Sequence, residues 1–135
     1  MRVFPDTNVL VSAFAARGLC ADLLELVLLE HDLVIGGNVL RELSKALREK
    51  VKLPATRTTE IVQFLAGEAV EVVNDVAPID VKVDAEDALV LGEALSARAE
   101  FFVTGDGALL KFDAIATLRI ASPRRFWEIL QLEKR

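Results

Sequence analysis

Short apolar runs that end in polar or glycine-containing junctions alternate along the chain with longer stretches whose apolar residues recur at helical spacing. Val3-Phe4, closed by Pro5-Asp6, reads as a buried first strand. Leu19 to Leu29 is densely apolar, with Asp22, Glu25 and Glu30 to one side, and predicts a helix. A helix with so little polar surface is either deeply covered or part of a subunit interface. Leu33-Val34-Ile35 is a second strand stopped by Gly36-Gly37, and Asn38 is placed to cap a helix from Val39 to about Lys50, with Leu40, Leu43 and Leu47 toward a core.

Beyond Pro54, Thr58 or Thr59 starts a helix through Ile61, Leu65 and Ala69, and Val70, Val72 and Val73 give a third strand. Asn74 to Val83, with turn signals at Asp75 and Pro78, reads as a loop. Asp84 then caps a helix from Ala85 to Ala97 with Ala88, Leu91 and Leu95 at core spacing. Phe101-Phe102-Val103 is a fourth strand running into Thr104-Gly105-Asp106-Gly107. Leu118-Arg119-Ile120-Ala121 is a fifth, and Ser122-Pro123 opens a last helix with proline at the first helical position. Strands alternating with helices imply parallel strands joined by crossovers. The expected fold is a three-layer α/β/α domain around a parallel sheet of about five strands. No repeat, low-complexity tract or linker interrupts residues 1–135, so a single domain is expected.

Composition narrows the chemistry. With 53% apolar and 27% charged residues the chain can bury a core. Charges interrupt every apolar run before the roughly 18 residues that a bilayer span needs. Asp6 stands where a signal peptide needs continuous apolar sequence, so a cytoplasmic protein is expected. Cys20 and His31 are the only cysteine and histidine. No disulfide, thiolate cage or multi-histidine zinc site can be drawn, and any metal must sit on oxygen ligands. A net charge of −5 argues against holding nucleic acid by diffuse positive charge. It leaves open cleavage at a carboxylate-bound metal.

In open parallel sheets the reactive crevice lies beyond the carboxyl ends of the strands, where strand order reverses. Asp6 follows strand one, Glu42 is expected in the first turn of the helix after strand two, Asp87 in the first turn of the helix before strand four, and Asp106 closes strand four. Acids near helix starts are favoured without any ligand, which explains Glu42 equally well and explains Asp84 better as a cap. Asp6 and Asp106 instead end buried strands, where a charge is costly unless paired or ligated. Gathered carboxylates raise one another's pKa, and a hard divalent cation, Mg²⁺ or Mn²⁺, cancels that repulsion. Such an ion suits phosphoryl chemistry by polarising phosphate and activating water.

The ordered set Val-Phe-Pro-Asp6-Thr7-Asn8-Val-Leu-Val-Ser12-Ala, Glu42 within Val-Leu-Arg-Glu-Leu, Asp84-Ala-Glu-Asp87, Val103-Thr104-Gly105-Asp106 and Ser122-Pro123-Arg-Arg-Phe126 resembles the PIN-domain family across nearly the whole chain. It is most similar to the PIN toxins of bacterial and archaeal toxin–antitoxin pairs, the VapC-like ribonucleases. The resemblance implies a Mg²⁺- or Mn²⁺-dependent endoribonuclease with Asp6, Glu42, Asp87 and Asp106 as catalytic acids and the metal on Asp6, Asp87 and Asp106. Thr7, Asn8 and Thr104 would aim those carboxylates. An RNA substrate, a cognate antitoxin and a homodimer are the implied partners. One departure matters: position 108 is alanine where many relatives carry another acid, which leaves the first metal site intact and counts against a second.

Arg48, Lys50, Lys52 and Arg57, and separately Arg124 and Arg125, are candidate phosphate guides. The first group is equally at home as a solvated helix end. Trp127 and Phe126 read as packing residues, Cys20 as a small buried hydrophobe, and His31 as a turn residue. Two other readings stand beside the nuclease. A receiver-like phospho-acceptor domain also places acids at strand ends, but Ala121-Ser122-Pro123 supplies no lysine after the last strand. A PIN protein that processes RNA without an antitoxin would carry the same acids.

Overall fold

The computed structural model describes residues 1–133. Its elements are β1 (Arg2–Pro5), α1 (Thr7–Ala15), α2 (Leu19–Glu30), β2 (Asp32–Gly36), α3 (Gly37–Glu49) and α4 (Ala55–Glu68). Then follow β3 (Glu71–Val73), α5 (Ala85–Ser96), β4 (Phe101–Val103), β5 (Ala114–Ile115), β6 (Leu118–Ala121) and α6 (Pro123–Glu133). One six-stranded sheet has the order β3-β2-β1-β4-β6-β5. Its pairs are parallel except the edge pair β5–β6, which is antiparallel. The expected five parallel strands are therefore present, and β5 adds a two-residue antiparallel edge too short to register as a periodic run.

The winding fixes where chemistry can sit. The chain steps outward from β1 to β2 to β3, then returns to place β4 on the other side of β1, with Phe4 opposite Phe102 and Pro5 opposite Val103. Strand order reverses between β1 and β4, so their carboxyl ends frame the crevice. The same reversal sends α5 to the opposite sheet face from α1 and α2 by the right-handed crossover rule. Val3, Pro5 and Val103 meet Leu10, Leu24 and Phe126 on the face covered by α1, α2 and α6. Phe4 and Phe102, which point the other way, stack with ring centroids 5.6 Å apart. Arg2 ties the opposite end of β1 to Ala97 O and to the Glu71 carboxylate.

Several expectations need correction. Thr7–Ala15 is a helix that the apolar pattern Val9-Leu10-Val11 did not reveal, because only Val9 and Leu10 are buried and no longer periodicity develops. Asn38 does not cap α3: the helix begins at Gly37, and Asn38 lies inside it. Glu42 consequently falls in the second turn of α3, not the first. Helix α4 starts at Ala55 directly after Pro54, rather than at Thr58 or Thr59. Asp84 caps α5 as expected, its carboxylate accepting the Asp87 N–H at 2.8 Å.

The 74–84 segment is laid along α5, where the Ile79 N–H donates to Ala88 O at 3.2 Å. Gly92 makes room for it, since a Cβ there would stand 2.5 Å from Ala77 O. Glycine within a helix costs about 1 kcal/mol relative to alanine, so two helical glycines should respond with opposite signs. Gly92→Ala should destabilise by about 1–3 kcal/mol through overpacking. Gly67→Ala, in open space within α4, should stabilise by about 0.5–1 kcal/mol. Urea unfolding of both variants checks the pair; a stabilising Gly92→Ala would show that the 74–84 segment does not rest on α5.

Candidate active site

The site grows from the junction of β1 and β4. The Asp6 N–H extends the ladder to Val103 O at 2.8 Å, and the residue then serves as N-cap of α1, its Oδ1 accepting the Thr7 N–H at 2.8 Å. Its Oδ2 accepts the Thr104 hydroxyl at 2.8 Å and the Asn8 amide at 3.2 Å. Asp6 is 8% exposed, and Thr104 is fully buried. The Thr104 Oγ1 also accepts the Asp106 N–H at 3.1 Å, so one hydroxyl joins the Asp6 carboxylate to the backbone of Asp106. Asn8 closes the same circuit, its Oδ1 accepting the Gly105 N–H at 2.9 Å. Asp106 Oδ1 accepts the Ala108 N–H at 2.8 Å, a backbone bond that is independent of the side chain at 108.

Electrostatics gather the remaining acids. Burial raises the Asp6 carboxyl above its ordinary range and the Asp106 charge adds to this, against the opposing bonds from Thr104, Thr7 and Asn8. Asp87 is pushed up to about 6 by burial and then by the charges of Asp84, Asp106 and Asp6. Glu42, which accepts the Thr7 hydroxyl at 2.8 Å, is pushed up to about 7 by burial and by Glu86. Glu86 lines the same cleft as Glu42, and its nearby charge contributes to that rise. The four predicted acids thus sense one another in the manner of a single charge cluster, and Glu86 joins them. The sequence contains the signal for Glu86, next to Asp87 in the first turn of α5, but that position is also where acids stabilise any helix.

Among the described residues, no lysine or arginine forms a salt bridge with these acids. Nor do three carboxylate, imidazole or thiolate side chains there converge into a ready-made cation cage. Repulsion and local satisfaction explain the spacing: Thr7 holds Glu42, and the Ala108 amide holds Asp106. The donor chemistry fits Mg²⁺ or Mn²⁺. It consists of oxygen atoms alone, on carboxylates without a cationic partner among the described residues, and Mg²⁺ is commonly bound by one or two carboxylates with water completing its shell. Asp6, Asp87 and Asp106 are the residues that would hold it.

Two clefts flank the cluster. One, of about 410 Å³, runs past Asn8, Ser12, Cys20, Gly105, Asp106 and Pro123. The other, of about 380 Å³, is lined by Thr7, Glu42, Lys45, Glu49, Lys50 and Glu86. Of the predicted phosphate guides, Lys50 lines the second cleft, whereas Arg48 and Lys52 do not, and Lys45, which the sequence pattern did not single out, does. Arg124 and Arg125 are exposed at the start of α6, next to Pro123 of the first cleft. Arg57 pairs with Glu60 at 3.4 Å beside Phe14 and Phe64, apart from both clefts. Cys20 is half-buried on a cleft wall rather than within the core. Phe126 is buried against Phe101, as its packing role requires.

A third hollow, of about 440 Å³, lies between α1, α2 and α4 and is mostly apolar, with Phe14, Leu28, Leu29 and Phe64 on its walls. Leu29 is 75% exposed. The apolar surface of α2 therefore divides between core contacts through Leu23, Leu24 and Val27 and this open hollow.

Comparison with known proteins agrees with this architecture. The PIN-domain family profile matches residues 2–108. No curated protein sequence matches significantly. Among solved structures, VapBC2 from Rickettsia felis bound to a DNA fragment from its promoter is similar to this chain with a TM-score of 0.65 at 18% identity, over 90% of this chain and 98% of that one. VapBC-1 from nontypeable Haemophilus influenzae is similar with a TM-score of 0.62 at 16% identity, over 92% and 99% respectively. The profile spans most of the chain and includes Asp6, Glu42, Asp87 and Asp106, and with it the reversal of strand order that brings β1 and β4 together: the chain belongs to the PIN-domain family.

Proposed function

We propose that this PIN-domain protein is a Mg²⁺- or Mn²⁺-dependent endoribonuclease and the toxin of a toxin–antitoxin pair. The observation that carries the reading is the charge cluster itself. Asp6, Asp87 and Asp106 come from distant parts of the chain, Asp6 and Asp87 are raised by burial and then by neighbouring acids that include Asp106, and all three lack a cationic side chain in salt-bridge range among the described residues. A divalent ion held there supplies charge neutralisation for the phosphodiester and activation of the attacking water. The protein's part is positional. Thr104 and Asn8 fix the Asp6 carboxylate, Thr7 fixes Glu42, and Glu42, pushed up to about 7, is poised for general acid–base work near neutral pH.

Lys45 and Lys50 on one side, with Arg124 and Arg125 on the other, would attract the backbone of single-stranded RNA into clefts that are otherwise acidic. The apolar hollow between α1, α2 and α4 suits an amphipathic segment of a cognate antitoxin, consistent with the toxin–antitoxin complexes that share the fold. A homodimer and a cytoplasmic location belong to the same reading. None of the described helices is long and apolar enough to cross a membrane. The receiver-like alternative is set aside by family membership.

Asp6→Asn should reduce Mn²⁺-supported cleavage of an RNA oligonucleotide pool at least about 100-fold while leaving the fold intact, because it removes a metal-holding carboxylate in a near-isosteric way. Its melting temperature without metal should equal or exceed that of the wild type, since a buried, repelled charge is gone. Undiminished cleavage by the Asp6→Asn variant would contradict the assignment. Growth arrest on expression without a partner, relieved by the same substitution, checks the toxin role.

Metal and pH should be linked. Glu42 and Asp87 have folded pKa values of about 7 and about 6, above their ordinary values, so between about pH 4 and 7 the folded state binds more protons than the unfolded state. Stability of the metal-free chain should therefore fall as pH rises through that window. Added Mn²⁺ should raise the melting temperature more at about pH 7.5 than at about pH 5, where protons compete for the same oxygens. Thermal melts at both values, with and without Mn²⁺, decide it; a metal-free melting temperature that climbs with pH would contradict the cluster.

A further inference from the structure

Outside the acid cluster, one carboxylate has no part in the chemistry described above. Glu93 lies on α5, 1% exposed, with Oε1 lacking a hydrogen-bond partner among the described residues. Buried glutamates are rare unless they do something for the structure around them. Its Oε2 accepts the Asn38 N–H, inside the first turn of α3, at 3.0 Å. Helix α3 receives no cap from its own N-cap residue, Gly36, which has no side chain to offer. The cap comes instead from another helix.

The backbone is shaped around this arrangement. A Cβ on Gly36 would overlap the Glu93 carboxyl, and all three of the nearest atoms it would meet belong to that side chain. A Cβ on Gly37 would overlap the Asn74 side chain. Gly36-Gly37 thus leaves space for side chains reaching in from β3's end and from α5. Arg41 donates to Asn38 Oδ1 at 2.6 Å, adding a positive charge to the same turn.

Glu93 and Glu86 are seven positions apart, so they lie on one stripe of α5, two turns from each other. Asn38 and Glu42, four apart, share a stripe of α3. Glu93 meets the Asn38 backbone N–H at one end of the helix contact, and Glu86 and Glu42 line one cleft at the other. The second meeting brings two acids together and the first joins an acid to an amide donor, so attraction at one end opposes repulsion at the other. We propose that Glu93 is a positioning residue for the acid cluster: reaching from α5 to the start of α3, it locks the two helices together and sets where Glu42 stands relative to Asp87.

This inference rests on the nuclease reading for its consequence, but the helix lock itself can be measured without metal or RNA. The test compares Glu93→Ala, which removes the lock, with Glu93→Ala/Gly36→Ser, which restores a cap to α3 from its own chain in the space vacated by Glu93 while leaving α5 unconnected. Glu93→Gln keeps an acceptor toward the Asn38 amide and serves as the conservative rescue. Spin labels at Arg48→Cys on α3 and Ser96→Cys on α5, in a Cys20→Ser background, report the interhelical distance by pulsed electron resonance. Mn²⁺ affinity is read by calorimetry with the metal alone, and RNA cleavage is resolved into kcat and KM, each well below the variant's melting temperature.

The lock predicts that Glu93→Ala and the double variant both show a shifted or broadened label distance, Mn²⁺ binding weakened about tenfold, and a reduced kcat with unchanged KM. The double variant should regain melting temperature without regaining any of these, and Glu93→Gln should keep all of them near wild type. A double variant with the wild-type label distance, or with wild-type Mn²⁺ affinity, would reduce Glu93 to a helix cap and overturn the proposal. A wild-type chain that neither binds Mn²⁺ nor cuts RNA would refute the nuclease reading instead, and the label distances alone would then decide whether Glu93 locks α3 to α5.

Discussion

The parallel pairing of β1 with β4 is the constraint on which the site depends. It aligns Pro5 with Val103, so the residues immediately beyond each strand, Asp6 and Thr104-Gly105-Asp106, must share one small volume at the rim of the sheet. Two acids so placed repel, and burial of Asp6 sharpens the cost. The fold answers with neutral donors: the Thr104 hydroxyl, the Asn8 amide and backbone N–H groups hold the carboxylates in place without cancelling their charge. A cationic side chain there would neutralise the negative field on which the proposed cation site depends.

The supporting layers extend the same logic outward. Thr7, the first residue of α1, carries the hydrogen bond to Glu42 on α3, and α3 in turn is capped from α5 by Glu93. Three helices are thereby connected to the β1–β4 junction through polar groups as well as through the core of Leu10, Leu43 and Leu91. Because each polar link is short and at least partly buried, displacement of one helix is transmitted to an acid at the rim. The clefts on either side remain open, one carrying Asp106 and the other Glu42 and Glu86 together with Lys45 and Lys50.

Much of this was legible in the residues. The strands at Val3-Phe4, Leu33-Ile35, Phe101-Val103 and Leu118-Ala121 are continuous apolar runs because parallel strands here are covered on both faces, and Asp84 announces α5 by a cap from its own chain. Asp6, Asp87 and Asp106 could be picked out because charge at a buried strand end, or repeated at one rim, has few cheap explanations. What escaped was whatever depends on contacts across the fold. Asn38 looked like a cap because capping by a carboxylate from a distant helix leaves no local trace. Glu86 and Lys45 carry no local signal that sets them apart, and only the fold brings them together on one cleft. Gly36-Gly37 read only as the stop of the second strand, whereas the structure shows two positions emptied for the side chains of Glu93 and Asn74.

Whether Asp6 and Asp106 form one cation site at the end of the β1–β4 pair can be decided by locating Mn²⁺ through its anomalous scattering in crystals of the wild-type chain. A single strong peak is expected, bounded by the carboxylates of Asp6 and Asp106, with Asp87 in its immediate surroundings. Peaks confined to surface acids elsewhere, with Asp6 and Asp106 untouched at saturating Mn²⁺, would contradict it.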